Sequence, residues 1–248
     1  MKIIAITQAR TGSSRFPDKI LKKINGKSLL EIHIQRIQKS DLVDEIIIAT
    51  TDKPKDSVIA SIAESLNIKY FKGSEQDVLD RFYQSVKPIQ PDFIVRLTSD
   101  CTLIDANLID EIIHKALINN LDYYSNILDP TYPDGQDIEV IKYTALEKAW
   151  NRAKEKSDRE HVTPYIKNNS TFVKKKLFMS ANHSFDKDYN QVRMTVDYPE
   201  DFQVIKALIG SIGEHASWLE YAKLYLSDKS INNLNIEIKR NEGYIKTE

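Results

Sequence analysis

Three short runs of apolar, largely β-branched residues, at 2–7, 45–51 and 92–98, alternate with segments of helical periodicity along the first half of the chain. Each run has the length and texture of a buried strand. The segments between them, 28–39, 54–66 and 76–86, read as helices. In the first, Leu29, Leu30, Ile34 and Ile37 recur at helical spacing and form one apolar stripe. Asp52, Lys53 and Pro54 read as a helix start, with proline near the first turn. Pro88 closes the third helix, because proline cannot continue one. Strand, helix, strand, helix predicts a Rossmann-like, three-layer α/β/α fold with a mostly parallel central sheet. Such sheets bind ligands beyond the carboxyl ends of their strands. The residues following Thr7, Ala49 and Leu97 are therefore the first candidates for chemistry.

The texture changes after a further helix at 107–119. Residues 122–127 and 137–141 read as strands, separated by the turn-rich loop DPTYPDGQ. Residues 144–154 and 158–167 read as helices, and 172–178 and 190–196 as more strands. The stretch 121–190 is expected to be a small mixed insertion within a single domain spanning 1–248. Residues 199–209 and 214–226 return to helix. The polar tail INNLNIEIKRNEGYIKTE reads either as a short strand or as a mobile end.

The chain is 41% hydrophobic over 248 residues, enough to build a sizeable core. Its 35 basic and 36 acidic side chains give a net charge of -1. A general nucleic-acid binder carries a basic excess, so nucleic acid is not an expected partner. The single cysteine, Cys101, allows neither an intramolecular disulfide nor a CxxC metal site. No apolar run approaches the roughly 18 residues of a membrane span, and the one at the N-terminus is too short for a signal-peptide core. The expectation is a cytoplasmic protein with no membrane partner.

The densest chemical signal lies in QARTGSSRFPDKIL, just past the first strand. One of the seven glycines, Gly12, is here, where it lets the backbone turn and point amides at a phosphate. Ser13 and Ser14 add hydroxyl donors, and Pro17 stiffens the exit. Arg10, Arg15 and Lys19 put three cations in the same loop, which suits a triphosphate. The loop is neither GxxxxGK[ST] nor GxGxxG, so the Walker and dinucleotide fingerprints are both missing.

QARTGSSRFPDKIL resembles the QARxGSxRLPxKxL signature of the cytidylyltransferases. These include the CMP-Kdo and CMP-sialic acid synthetases and especially the SpsF-like branch of spore-coat polysaccharide biosynthesis. EIIIATT, FKGSEQDVLDRF, RLTSDCTLID, TYPDGQDIEV, REHVTPYI and RMTVDYPEDF extend the resemblance over almost the whole chain. It implies a nucleotidyltransferase (GT-A-like) fold and a homodimer. It also implies transfer of CMP from CTP to a sugar or sugar-acid acceptor with release of pyrophosphate, for surface polysaccharide or glycoconjugate biosynthesis. By this resemblance Arg10, Ser13, Arg15 and Lys19 hold the triphosphate, with Ala9, Gly12 and Ser99 beside them. Asp18 stands where the family often has glycine, Phe16 where leucine is usual, and Cys101 where proline is frequent.

Asp100 and Asp197 each follow an apolar strand-like run. Their hard oxygens suit Mg²⁺, which takes few protein ligands beside phosphates and water. The resemblance makes these two the metal-binding aspartates, and Arg10, Arg15, Lys19 and Asp100 the catalytic set. Each aspartate also reads as a helix cap, Asp197 for the helix opening at Pro199. Asp105 reads as the cap of the helix that follows it.

Thr50 and Thr51 can approach a base or ribose, with Asp52 equally a helix cap. Gly73 and Ser74 form a turn, and family analogy puts cytosine near it, with Asp77 and Arg81 on the next helix or paired to each other at i,i+4. On the acceptor side stand Asp134 and Gly135 in a turn, Asp137 and Glu139 alternating along a strand, and the polar group Arg159, Glu160 and His161. Those last three read equally as an ion-pair network at a helix start. Two other functions fit the same fold: transfer of a sugar from a nucleotide-sugar, and nucleotide or sugar binding without catalysis.

Overall fold

The computed structural model describes residues 1–240. The chain builds β1 (Ile3–Gln8), a short hairpin of β2 (Lys23–Ile24) and β3 (Lys27–Ser28), α1 (Leu29–Ile37), β4 (Glu45–Thr51), α2 (Ser57–Ser65), β5 (Lys69–Gly73), α3 (Val78–Val86), β6 (Phe93–Thr98) and α4 (Ala106–Ile118). It continues with β7 (Tyr123–Ser125), β8 (Glu139–Lys142), α5 (Tyr143–Arg152), α6 (Lys156–His161), α7 (Pro164–Asn168), β9 (Ser180–Asn182), α8 (Pro199–Ile212), α9 (Trp218–Ser227) and α10 (Lys229–Asn232). Seven strands form one sheet in the order β5-β4-β1-β6-β8-β7-β9. The first four run parallel, and β8 is antiparallel to both of its neighbours. The predicted parallel three-layer core is therefore present.

Alternation along the strands divides the interior in two. Ile3 and Ala5 of β1, Ile46 and Ile48 of β4, and Phe93, Val95 and Leu97 of β6 face α1, α4, α8 and α9. Ile4, Ile6, Ile47, Ala49 and Ile94 face α3, α5 and α7. Strand side chains alternate between faces, so runs this apolar are buried on both sides. Local chemistry sets the ends. Ser28 and Glu31 form a reciprocal capping box that starts α1, an arrangement that contributes about 1 kcal/mol. Asn25 and Gly26, at φ 51° and 85°, make the tight two-residue turn of the β2–β3 hairpin.

Several expectations need correction. Residues 172–178 are not a strand. Thr171–Val173 is a single 3-10 turn, Lys174 is left-handed at φ 62°, and the edge strand forms later as β9. Three consecutive exposed lysines, Lys174–Lys176, have no buried face to offer a sheet. Residues 190–196 form no strand: 190 and 191 lie in a turn, and the rest pairs with Asp134 through an isolated bridge at Arg193 and with Asp100 through Val196 N–H. The helix expected over 158–167 breaks at Val162, φ 72°, just before Thr163 and Pro164. The chain restarts as α7 with Pro164 in its first turn, where the fixed φ of proline suits a helix and its missing N–H costs nothing. β5 escaped notice because it is a half-exposed edge strand, Lys-Tyr-Phe-Lys-Gly, with no apolar run. The tail forms α10 and then turns rather than a strand as far as Arg240, and its end at 241–248 lies outside the described residues.

Candidate active site

The tips of β1, β4, β5 and β6 converge on the loop after β1. Ala9 continues the β1 pairing by donating to Ala49 O at 3.1 Å, and Ser99 N–H donates to Gln8 O at 3.3 Å. The loop is tied down by a residue that sequence reasoning missed. Asp56, fully buried, accepts from both Thr11 N (2.8 Å) and Thr11 Oγ1 (2.6 Å), and its other oxygen accepts from Thr51 Oγ1. The N-terminal cap expected of Asp52 is absent: Lys53 stands at that position without a side-chain cap. Nothing in the spacing distinguished Asp56 from any acid in a first helical turn.

Gly12 is not left-handed, but it is the central residue of a tight turn closed by Ser13 N–H donating to Thr11 O at 2.9 Å. A Cβ there would stand 2.6 Å from Lys55 Nζ, so glycine provides room for an approaching ammonium. Asp18 is the left-handed residue of the loop, at φ 55°, a conformation that glycine favours and Asp tolerates. Ser13 Oγ accepts from Phe16 N at 3.4 Å.

The loop's cations and the two expected metal aspartates meet. Lys19 Nζ donates to Asp100 Oδ2 at 3.1 Å and to Asp197 Oδ1 at 2.9 Å. Arg15 Nη2 reaches Asp197 Oδ1 at 2.8 Å, and its guanidinium lies over the Tyr198 ring. Burial raises the Asp100 carboxyl, but Lys19 overrides it and holds the group at about 2. Burial likewise lowers Lys19, and the two aspartates more than reverse that. The cap of α8 is not Asp197 but Asp201, which accepts from Asp197 N and Tyr198 N. Asp105 does cap α4, accepting from Asn107 N and Leu108 N. Arg193, buried and unforeseen, reaches Asp134 (2.7 Å), Asp201 (2.9 Å) and Asp197 (3.4 Å). Among the described residues no three His, Cys, Asp or Glu side chains cluster to hold a metal.

Thr50 and Thr51 are fully buried at the tip of β4, and Thr50 Oγ1 has no hydrogen-bond partner. Gly73 O accepts from Asp52 N, and Ser74 O accepts from Arg81 Nη1 at 2.5 Å. Arg81 is buried, and burial together with Arg10 lowers its guanidinium to about 10. Arg10 Nη1 reaches Glu75 Oε1 at 3.4 Å. Asp77 does not pair with Arg81. It caps α3 through Asp80 N and receives Arg159 on both oxygens, at 2.6 and 3.0 Å.

The residues grouped on the acceptor side have different partners. Asp134 and Gly135 pack on 192–195, and Gly135 at φ 109° would set a Cβ 2.6 Å from the Met194 carbonyl carbon. Asp137 accepts from Arg240 Nη2 at 2.6 Å, and Arg240 also holds Tyr132 O and Asn190 Oδ1. Burial and the adjoining carboxylates raise both Asp134 and Asp137. Glu139, close enough to Asp137 to raise it, is buried in the core and paired with Arg96, Lys167 and the Tyr123 hydroxyl. Burial raises its carboxyl, but Lys167 and Arg96 bring it to about 2. His161 lies within electrostatic reach of Arg96 and Lys167. Arg159 stands with Asp77, and Glu160 is exposed.

A cationic loop at the tips of a parallel sheet, facing two carboxylates drawn to one ammonium, is the arrangement expected of a nucleotidyltransferase. Comparison with known proteins identifies which kind. The chain belongs to the cytidylyltransferase family, whose pattern matches residues 4–231, and is a CTP-dependent nucleotidyltransferase. It is 45% identical over 206 residues to an uncharacterized protein of Methanocaldococcus jannaschii, covering 82% of each. It is 32% identical over 216 residues to the spore coat polysaccharide biosynthesis protein SpsF of Bacillus subtilis, covering 86% of this chain and 88% of that one. A solved cytidylyltransferase from Leptospira borgpetersenii superposes with a TM-score of 0.88 at 28% identity, over 97% of this chain and 98% of the other.

Proposed function

We propose that this protein transfers CMP from CTP to a sugar or sugar-acid acceptor for surface polysaccharide or glycoconjugate biosynthesis. An acceptor oxygen attacks the α-phosphorus, the bond to the bridging oxygen breaks, and pyrophosphate leaves. The observation that carries this reading is the Lys19 ammonium shared by Asp100 and Asp197. It brings the cationic loop and both carboxylates to one point. Arg10, Arg15 and Lys19 hold the β- and γ-phosphates, and the same three charges stabilise the departing pyrophosphate. Buried Thr50 and Thr51, the Gly73–Ser74 turn and Arg81 form the nucleoside side.

Two carboxylates facing one cation fit Mg²⁺, which binds through one or two carboxylates plus substrate phosphates. Asp100 and Asp197 would hold it, and when bound it draws negative charge from the α-phosphate. The segment 121–190 supplies the acceptor side and the contact of a homodimer. Phe172, Val173 and Met179, exposed beside β9, support the second role. The reaction belongs in the cytoplasm, with neither nucleic acid nor membrane as partner.

The test is pyrophosphate release by the purified chain with each of four nucleoside triphosphates and a panel of 2-keto sugar acids, nonulosonic acids and phosphorylated polyols. Release with CTP and one acceptor class is expected. Tight CTP binding without release from any acceptor would instead favour a sensor.

A further inference from the structure

Gly12 reports on a contact that lies outside the loop containing it. Lys55 Nζ stands 2.6 Å and Lys55 Cε 3.6 Å from where a Cβ on residue 12 would be, with Glu75 Oε1 at 3.7 Å. An ammonium therefore rests on the bare backbone of the loop. Around it, Glu75 Oε1 receives Arg10 Nη1 at 3.4 Å, and Oε2 receives Lys53 Nζ. Three cations from the ends of β1 and β4 thus surround one carboxylate from the end of β5. The group is held in register with the loop because Asp56, one residue beyond Lys55, binds Thr11 through both its amide and its hydroxyl.

We infer that Lys55, with Lys53, is a further binding residue for the polyphosphate of the nucleotide, and that Glu75 is the exchangeable counter-charge that keeps these cations gathered until it arrives. The inference rests on the proposed role of residues 9–19 as the triphosphate loop. The charge balance favours exchange. One carboxylate leaves two of the three positive charges uncompensated, whereas a polyphosphate presents several negative oxygens to the same donors. Arg10, Lys53 and Glu75 are each partly exposed, so solvent screening makes their mutual pairing weak and readily replaced. Lys53, Lys55 and Arg10 together hold the Glu75 carboxyl below its ordinary range, and Lys53 contributes the largest share.

Titration calorimetry of the purified full chain, at fixed magnesium and without acceptor, separates the possibilities. The probes are CTP, CMP and inorganic pyrophosphate. Lys55→Ala is expected to weaken CTP and pyrophosphate about tenfold, the usual effect of one charge-assisted contact, while CMP stays within twofold. Lys55→Arg should restore most of the loss. Glu75→Gln should tighten pyrophosphate severalfold by removing its competitor. Unchanged CTP affinity in Lys55→Ala, an equal loss for CMP, or weaker pyrophosphate binding in Glu75→Gln each overturns the inference while leaving the triphosphate loop intact. Wild-type protein that binds no CTP overturns the parent reading as well.

Discussion

Asp100 and Asp197, from distant parts of the chain, are joined twice: the N–H of Val196 donates to Asp100 O at 3.0 Å, and one Lys19 ammonium holds both carboxylates. The backbone bond fixes the distance between the two turns independently of the side chains. Arg15 and Arg193 take up remaining capacity on Asp197, so this carboxylate is oriented from two sides. Paired negative charges at close range repel unless a cation stands between them. Here the protein supplies one, Lys19, from the loop after β1.

Asp100→Ala and Arg15→Ala are each expected to lower CTP-dependent pyrophosphate release about 100-fold or more, the usual scale for losing one electrostatic contact in the transition state. Arg15 is partly exposed, so its loss should change melting temperature little, whereas Asp100→Ala also gives up the pairing by which Lys19 holds that carboxyl at about 2 and should lower it modestly. Steady-state rates with a productive acceptor give the measurement. Near-normal turnover in either variant removes the assigned role.

Asp56→Ala should destabilise the fold and loosen the loop together. The substitution strands the buried Thr11 amide and the Thr11 and Thr51 hydroxyls, at about 2–4 kcal/mol in total. Burial opposes the ionised carboxylate, but the threonine bonds prevail and its affinity for protons is below the ordinary carboxyl range. The stabilisation it gives is therefore present above the unfolded value of 3.8 and is lost as pH falls beneath it. Urea denaturation at neutral pH measures the first effect, and CTP affinity the second. Unchanged values for both would make Asp56 a bystander.

The parallel core and the cation-rich loop after β1 were legible because each is written locally. Strands buried on both faces leave continuous apolar runs such as EIIIATT, and glycine and cations crowd into QARTGSSRFPDKIL. What was hidden depends on contacts between distant segments. Arg193 and Arg240 look like ordinary surface charges until folding sets them beside Asp134 and Asp137. Arg159 read as an acceptor residue or a helix-start ion pair, and only the packing of α6 on α3 assigns its guanidinium to Asp77. β5 failed a test of apolar pattern because an edge strand has no second sheet neighbour to bury it.

His33 ties the turn after β6 to the core and gives the fold a dependence on pH. Its ring is fully buried, with Nε2 on Thr7 Oγ1 at 2.9 Å and Nδ1 on Cys101 O at 2.8 Å. Burial lowers it from 6.5 to about 4, so the folded ring is neutral where an unfolded one is charged. The unfolded chain then binds more protons between those values, and stability falls as pH drops from 6.5 toward 4. Between pH 7 and pH 5 the loss attributable to this one group is about 2 kcal/mol. Denaturant titrations of wild type and His33→Gln at both pH values isolate it by difference. Equal pH slopes would mean that the ring titrates normally.

Two glycines respond oppositely to the same change, which tests the packing of the Asp134 loop without any assay of activity. Gly135 sits at φ 109°, and a Cβ there would lie 2.6 Å from Met194 C and Thr195 N, both backbone atoms that cannot move aside without shifting the strand of residues leading to Asp197. Gly210 lies within α8, with nothing within 4 Å of the corresponding position. Gly135→Ala combines a forbidden backbone region with a clash and should cost more than about 2 kcal/mol. Gly210→Ala should stabilise by about 0.5–1 kcal/mol, because alanine loses less freedom in a helix. Because the Gly135 clash falls on the backbone two residues before Val196, its damage should extend to the Asp100–Asp197 pair and weaken CTP binding, while Gly210→Ala leaves that binding alone. Thermal unfolding and calorimetry on the two variants decide the matter, and a Gly135→Ala protein as stable as wild type would show that the loop is not pressed against residues 194–195.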